Sequence, residues 1–214
     1  MTSTTEHPPQ RTSRAVIPTT LQSKYTQKNP ITRRLLAGFF GALGDAVATV
    51  GSVSSALEVG CGEGVSTGRI RSMLPGGALL HASDINRVRL AAARERNPGV
   101  PIIEESIYNL SRPDQSYDLV FCLEVLEHLD DPEAAFAEVC RVSKRWVIAS
   151  VPREPLWRAL NFVRMKYVAA LGNTPGHLNH WSKGAFAQFL GSRLDVRKVL
   201  SPLPWTMVVG EVKR

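Results

Sequence analysis

Ser55-Ala-Leu-Glu-Val-Gly-Cys-Gly-Glu-Gly64, followed twenty residues later by Ser83-Asp84, is the stretch that decides the fold. A short apolar run ends in three glycines spaced G-x-G-x-G. Ser66 to Met73 then continues with helical character until Pro75-Gly76-Gly77 stops it. That order predicts a buried strand, a tight glycine turn and a helix. Glycines in such a turn permit positive φ and let the backbone approach a ligand closely. The usual dinucleotide fingerprint G-x-G-x-x-G would need a glycine where Val65 stands, and no Lys-Ser/Thr pair follows to hold a triphosphate. Asp84 closes the next apolar run. A carboxylate there can accept hydrogen bonds from both hydroxyls of a ribose, and it can equally cap the following helix.

Outward from this segment the chain alternates. Leu79–Ser83 reads as a second strand and Arg87–Arg96 as a helix ended by Asn97-Pro98-Gly99. Ile102-Ile103 is a third strand, and Asp118–Cys122 a fourth. Pro132–Val142 is a helix with Ala134, Phe136, Val139 and Cys140 placed for burial, and Trp146–Val151 is a fifth strand. Lys183–Leu190 reads as a helix, with Leu194–Val199 and Trp205–Val212 as closing strands. Strands and helices alternating at this length imply parallel βαβ units. Upstream, Ile31, Leu35, Leu36, Phe39, Phe40, Leu43 and Val47 recur at helical spacing, predicting a helix over about 30–48 that Pro30 can start. Residues 1–20 are polar and rich in Pro and Thr, as in disordered tails.

The 214 residues suffice for one domain with its own core. Hydrophobic residues at 43% and charged residues at 21% exclude wholesale disorder and fibrous classes. Cys61, Cys122 and Cys140 are too few and scattered for a disulfide scaffold and read as reduced thiols. No secretory signal is recognisable, and the apolar tract Leu35–Val53 is interrupted by glycines and Asp45, which points to a cytoplasmic protein without a membrane span. The net charge of +7 is uneven. Residues 1–34 carry six basic residues against Glu6, and residues 144–167 six against Glu154, so the remainder is net negative. This is a basic tail plus one basic segment, not a nucleic-acid coat.

Glu58-Val-Gly-Cys-Gly-Glu-Gly64, Ser83-Asp84 and Tyr117-Asp-Leu-Val-Phe-Cys-Leu-Glu-Val-Leu-Glu-His-Leu129 together resemble a class I S-adenosylmethionine-dependent methyltransferase of the type 11 kind, over about residues 54–152. The resemblance implies an α/β fold. It is a three-layer αβα sandwich around a seven-stranded, mostly parallel sheet whose last strand is antiparallel. It implies one domain over 21–214, with a helical lid at 21–50 that includes Tyr25 and an insertion at 153–181 that shapes the acceptor pocket. S-adenosylmethionine is the implied cofactor. Gly60, Cys61 and Gly62 would face its methionine and adenosine parts, and Glu58 would sit near the ammonium. Asp84 would bind the ribose and Ile85 pack on the adenine. An acidic residue is common in the family at the position of Ser106. Here Ser106 or the backbone of Ile107 would serve instead, with Glu105 adjacent. Cys122 and Leu123 would line the reaction centre.

Methyl transfer asks the protein mainly for alignment, and for a base only where the acceptor must lose a proton. Glu124-x-x-Glu127-His128 is the sharpest catalytic candidate. If helical, these side chains share one face and are able to bind a divalent metal. The same phrase is common in the superfamily without metal, so no metal is assigned. His177 and His180, in the loop Asn173–Trp181, are candidate bases. Trp157, Tyr167 and Trp181 are candidate acceptor walls. Arg153 could meet an anionic group. The segment with Arg33 and Arg34 reads either as a lid or as a basic helix on a membrane surface, and Phe39 and Phe40 as core. The expected function is methyl transfer to a small apolar or aromatic acceptor, more O- than N- or C-directed. The alternatives are an RNA or protein methyltransferase, which would bind nucleic acid in a salt-sensitive way, and a non-catalytic cofactor-binding subunit. Oligomeric state is left open.

Overall fold

A computed structural model describes residues 30–157 and 176–214. The expected tail at 1–20, Tyr25 and Tyr167 lie outside the described residues.

Seven strands form one sheet: β1 (Ser55–Val59), β2 (Leu79–Asp84), β3 (Ile102–Glu104), β4 (Tyr117–Leu123), β5 (Ser143–Pro152), β6 (Leu194–Leu200) and β7 (Trp205–Val212). Their order across the sheet is β3-β2-β1-β4-β5-β7-β6. β7 runs antiparallel to both β5 and β6, while the other pairings are parallel. The chain leaves β1 toward β2 and β3, then returns to β4 on the other side. That reversal opens a crevice at the carboxyl ends of β1 and β4, where open α/β sheets bind ligands.

The central strands alternate their side chains between two cores. On β4, Leu119, Phe121 and Leu123 join Ala56 and Ile70 on one face, while Val120 and Cys122 join Leu57 and Val59 on the other. Helices α1 (Pro30–Val50), α2 (Val65–Met73) and α3 (Arg87–Arg96) cover the first face. Helices α4 (Pro132–Val142) and α5 (Lys183–Gly191) cover the second. The three-layer sandwich read from the sequence is the observed one.

Local chemistry starts each helix. Asn86 caps α3 by accepting from the amides of Val88 and Arg89. Asp131 caps α4, with Pro132 at its first position, and Ser182 caps α5. In α4 the buried positions are Pro132, Ala135, Phe136, Val139, Cys140 and Val142, so Ala135 takes the inward place expected for Ala134. In α1, Phe39, Leu43, Ala46, Val47 and Val50 form one buried stripe. Since the sheet already covers that stripe, the membrane-surface reading of this helix is overturned. Among the described residues no helix is long and apolar enough to cross a membrane. The three cysteines are buried and free, as expected.

Candidate active site at the carboxyl ends of β1 and β4

The turn after β1 is built by main-chain bonds. The amides of Gly60 and Cys61 donate to the Ser83 carbonyl at 2.8 and 2.9 Å, and the Gly64 amide to the Cys61 carbonyl at 2.9 Å. Gly60 and Gly64 hold φ of 77° and 75°. A Cβ on Gly60 would lie 2.4 Å from Val125 Cγ2, and one on Gly64 would strike Asn97 and Ala93. Packing therefore excludes side chains at both positions. Gly62 (φ 55°) differs: a Cβ there would meet nothing within 4 Å. The turn presents bare backbone to open space at its tip.

Asp84 does not cap α3; Asn86 does. Instead its carboxylate reaches across to the turn, accepting from the Gly62 amide at 2.8 Å and from the Asn86 amide at 2.8 Å. Each oxygen keeps a lone pair for a ligand. Beside it, Ile85 and Val88 are exposed apolar side chains, 43% and 62% accessible. Ser106 is half-buried and accepts from the Tyr108 amide at 3.3 Å. The Ile107 side chain is buried in the second core. Glu105 turns away to Ser111, whose amide and hydroxyl it accepts at 3.0 and 2.7 Å. It therefore does not replace the acidic residue expected at position 106.

Beneath the turn, Glu58 is buried and accepts from the Thr67 hydroxyl at 2.5 Å. Burial pushes its carboxyl up to about 7, against the opposing hydrogen bonds from Ser66 and Thr67. Thr67, a residue the sequence reading passed over, is thus the partner that holds this carboxylate in α2. The protonated form is favoured in the fold, so folding stability falls as pH rises from about 4.5 to about 7. At about 1.4 kcal/mol per pH unit, Glu58 alone costs up to roughly 3 kcal/mol across that window. Replacing it with Gln keeps an acceptor for Thr67 and removes the titration. Denaturant midpoints measured from pH 4.5 to 8 are expected to decline more for the wild type than for Glu58→Gln. Parallel curves would show that this carboxyl is not perturbed. Leu123 and Cys122 end β4 as expected, but the Cys122 thiol packs into the second core, where burial raises its pKa.

The E-x-x-E-H phrase does not form a helix. Glu124 sits at φ 60°, and only Leu126–His128 makes a 3-10 turn. The Glu124 carboxylate instead accepts from the Ser150 hydroxyl at 3.1 Å and from Trp205 Nε1 at 2.7 Å. The expected single face of Glu124, Glu127 and His128 is therefore absent. His177 takes the place of Glu124. Ligating atoms of Glu127, His128 and His177 lie within 4.8 Å of one another, and the His128 and His177 rings are 5.0 Å apart. His180 is exposed, its ring 6.5 Å from that of His177.

Main-chain bonds bring this loop to the turn. The amides of Leu178 and Asn179 donate to the Glu127 carbonyl, and the Asn179 side chain donates to the carbonyls of Leu126 and Leu129. Trp157 stands between His177 (6.1 Å) and Trp205 (5.8 Å), and Phe39 of α1 meets Trp205 edge-on at 5.1 Å. Sequence reasoning missed Trp205, since a tryptophan at a strand start carries no motif. It placed Trp181 at the acceptor wall, whereas Trp181 packs on Phe186 and Phe189 of α5. Arg153 is half-buried and pairs its backbone with Trp181.

A family profile described as the methyltransferase domain matches residues 57–148. Among curated proteins, the ubiquinone biosynthesis O-methyltransferase of Hahella chejuensis is 30% identical over 135 residues, covering 59% of this chain and 55% of that one. The malonyl-[acyl-carrier protein] O-methyltransferase of the same organism is 27% identical over 187 residues, 78% of this chain and 67% of its own. The match thus spans little more than half of the first of these relatives. Among solved structures, an S-adenosylmethionine-dependent methyltransferase from Aquifex aeolicus superposes with a TM-score of 0.66 at 15% identity, covering 86% of this chain and 94% of its own. The magnesium protoporphyrin IX methyltransferase of Synechocystis, with bound S-adenosylhomocysteine, gives 0.63 at 18%, covering 87% and 89%.

Proposed function

Because the chain belongs to the class I S-adenosylmethionine-dependent methyltransferases, we propose that it binds S-adenosylmethionine between the β1 turn and Asp84 and O-methylates a small apolar or aromatic hydroxyl compound. The observation that carries the reading is Asp84. Its carboxylate crosses to the Gly62 amide, beside a glycine whose missing side chain leaves open space and beside the exposed Ile85. A ribose diol and an adenine face fit those three features together. S-adenosylmethionine, when bound, supplies an electrophilic methyl group on a cationic sulfur.

The chain's own residues would supply the rest. Gly60, Cys61 and Gly62 offer backbone to the ligand, and Asp84 orients the sugar. Glu58, poised near neutrality, would ionise when a cation approaches and so favour a positively charged ligand. Ser106 and the Ile107 amide would meet the adenine edge. Phe39, Trp157 and Trp205 form an aromatic wall suited to a planar acceptor. His177, His128 or His180 would take the hydroxyl proton, so that the acceptor oxygen bonds the methyl carbon as its bond to sulfur breaks. The curated relatives named as O-methyltransferases support oxygen as the acceptor atom.

Calorimetric titration with S-adenosylmethionine and with its demethylated product tests the cofactor assignment. Both should bind one to one, and binding of neither would refute the reading. With an acceptor found by screening phenols and catechols, His177→Ala or His180→Ala should slow turnover about tenfold or more if that residue is the base. Cofactor affinity should stay unchanged. Full activity in both variants would remove them from the chemistry.

A further inference from the structure

We propose that Glu124 is a positioning residue for methyl transfer: its carboxylate clamps the Trp205 indole, and through that ring it sets the geometry of Trp157 and His177 on the acceptor side of the crevice. The acceptor role rests on the methyl-transfer reading; the clamp itself does not.

Glu124 directly follows β4, at the end of the strand where the crevice opens, and holds φ at 60°. That conformation favours glycine. A residue with a Cβ persists in it only where its surroundings hold it there. Here three bonds do so. The Glu124 amide donates to the Ser150 carbonyl at 3.0 Å. The Ser150 hydroxyl donates to Oε1 at 3.1 Å, and Trp205 Nε1 donates to Oε2 at 2.7 Å. Ser150 lies in β5 and Trp205 begins β7. One residue therefore ties the ends of β4, β5 and β7 together beside the site. A glycine would meet the backbone requirement without strain but would make neither side-chain bond.

Trp205 is buried, so its N–H needs a partner inside the fold, and Glu124 supplies it. The ring meets Phe39 edge-on at 5.1 Å and Trp157 at 5.8 Å. Trp157 is half-buried and stacks on His177 at 6.1 Å, with 28° between the planes. Backbone bonds follow the same path. The Arg153 amide donates to the Pro204 carbonyl, and the Trp157 amide to the Arg153 carbonyl, both at 2.9 Å. Trp205 is thus the support on which Trp157 rests. Apolar burial has no direction, whereas an N–H bond to a carboxylate selects one orientation of the indole plane. Loss of that bond leaves the ring buried but lets it turn, and Trp157 and His177 turn with it. Alignment is what methyl transfer asks of the protein, and a misplacement of about 1 Å costs about a hundredfold.

Three variants of the full chain test the clamp. Glu124→Gly removes the side chain and relieves the backbone, Glu124→Gln keeps an acceptor for the indole, and Trp205→Phe keeps a ring without the N–H. Of the four tryptophan indole N–H resonances, one should lie far downfield, exchange slowly and vanish in Trp205→Phe. It should move upfield in Glu124→Gly, where the exciton couplet of Trp157 and Trp205 in circular dichroism should collapse. Glu124→Gln should keep both. With catechol as the acceptor probe, Glu124→Gly and Trp205→Phe should each raise the KM for catechol at least about tenfold, with kcat falling less and S-adenosylmethionine affinity retained. Together they should do little more than either alone, and Glu124→Gln should recover most of the loss. An unchanged indole signal and couplet in Glu124→Gly overturn the proposal. Independent, multiplying effects of the two variants on KM overturn it as well. If Glu124→Gly does not fold, Trp205→Phe decides alone: a KM equal to that of the wild type refutes the clamp. A wild type that binds S-adenosylmethionine but leaves catechol unmethylated counts against the aromatic hydroxyl reading, and the indole signal and couplet then still decide the clamp.

Discussion

Asp84→Ala is expected to weaken S-adenosylmethionine binding by about 100- to 1000-fold, which calorimetry or equilibrium dialysis would read directly. A ribose diol on a carboxylate makes two charge-assisted hydrogen bonds, each about 1.5–3 kcal/mol, though water competes for part of this. Asp84 also accepts from the Gly62 amide. Its removal frees the tip of the turn as well as the ligand contact, so the loss should exceed that of one hydrogen bond. Asp84→Asn separates the two contributions. The amide oxygen can still serve Gly62, but only one hydroxyl acceptor remains and the charge is gone. An intermediate loss of about tenfold is expected for it. The fold should survive both changes, because Asp84 is half-buried at a strand end and Asn86 caps α3 independently. Unchanged affinity in Asp84→Ala would place the ribose elsewhere and with it the whole cofactor.

Most strands and helices were legible because their signals are local. Apolar runs bounded by glycine or proline gave β1, β2 and α2, and Pro132 gave the start of α4. β5 proved longer than its apolar run. Ser143–Arg145 have exposed or polar side chains yet continue the ladder from Tyr117, and backbone pairing with a neighbour leaves no mark on side-chain type. The turn after β1 was legible for a similar reason: Gly60, Gly62 and Gly64 hold positive φ, which few other residues permit. The assembly of the loops beyond β4 and β5 was not. Glu124 and Trp205 are 81 positions apart in the chain and meet only because β7 lies antiparallel to β5. The E-x-x-E-H spacing promised a helical face. Two main-chain bonds, from the Leu178 and Asn179 amides to the Glu127 carbonyl, and the contact of the His128 ring with the Gly176 carbonyl instead join a 3-10 turn to a loop that brings in His177. Periodicity describes one element at a time, whereas this cluster is assembled from two.

The turn after β1 carries the second large effect. Gly60→Ala should destabilise the fold by about 2–4 kcal/mol, a sum of roughly 1 kcal/mol for Ala at positive φ and 1–3 for forcing a methyl into a packed site. The obstacle is a single side chain, Val125, whose Cγ2 would stand 2.4 Å from the new Cβ. That makes the two contributions separable. Val125→Ala alone costs about 1 kcal/mol or more for the lost methyls. Combined with Gly60→Ala, it should recover the steric part and leave the backbone part, so the double variant lies above the additive expectation by about 1–2 kcal/mol. Chemical denaturation of the four proteins measures this coupling. An additive cycle would mean that the turn moves away rather than pressing on Val125. Cofactor affinity gives the functional half of the test. The Gly60 and Cys61 amides share the Ser83 carbonyl, and Asp84 follows Ser83 in β2. A methyl that displaces Gly60 would therefore tilt the turn against the Asp84 carboxylate, to which we assign the ribose. The double variant should regain stability before it regains affinity, because the strained φ at position 60 persists when Val125 no longer opposes the methyl.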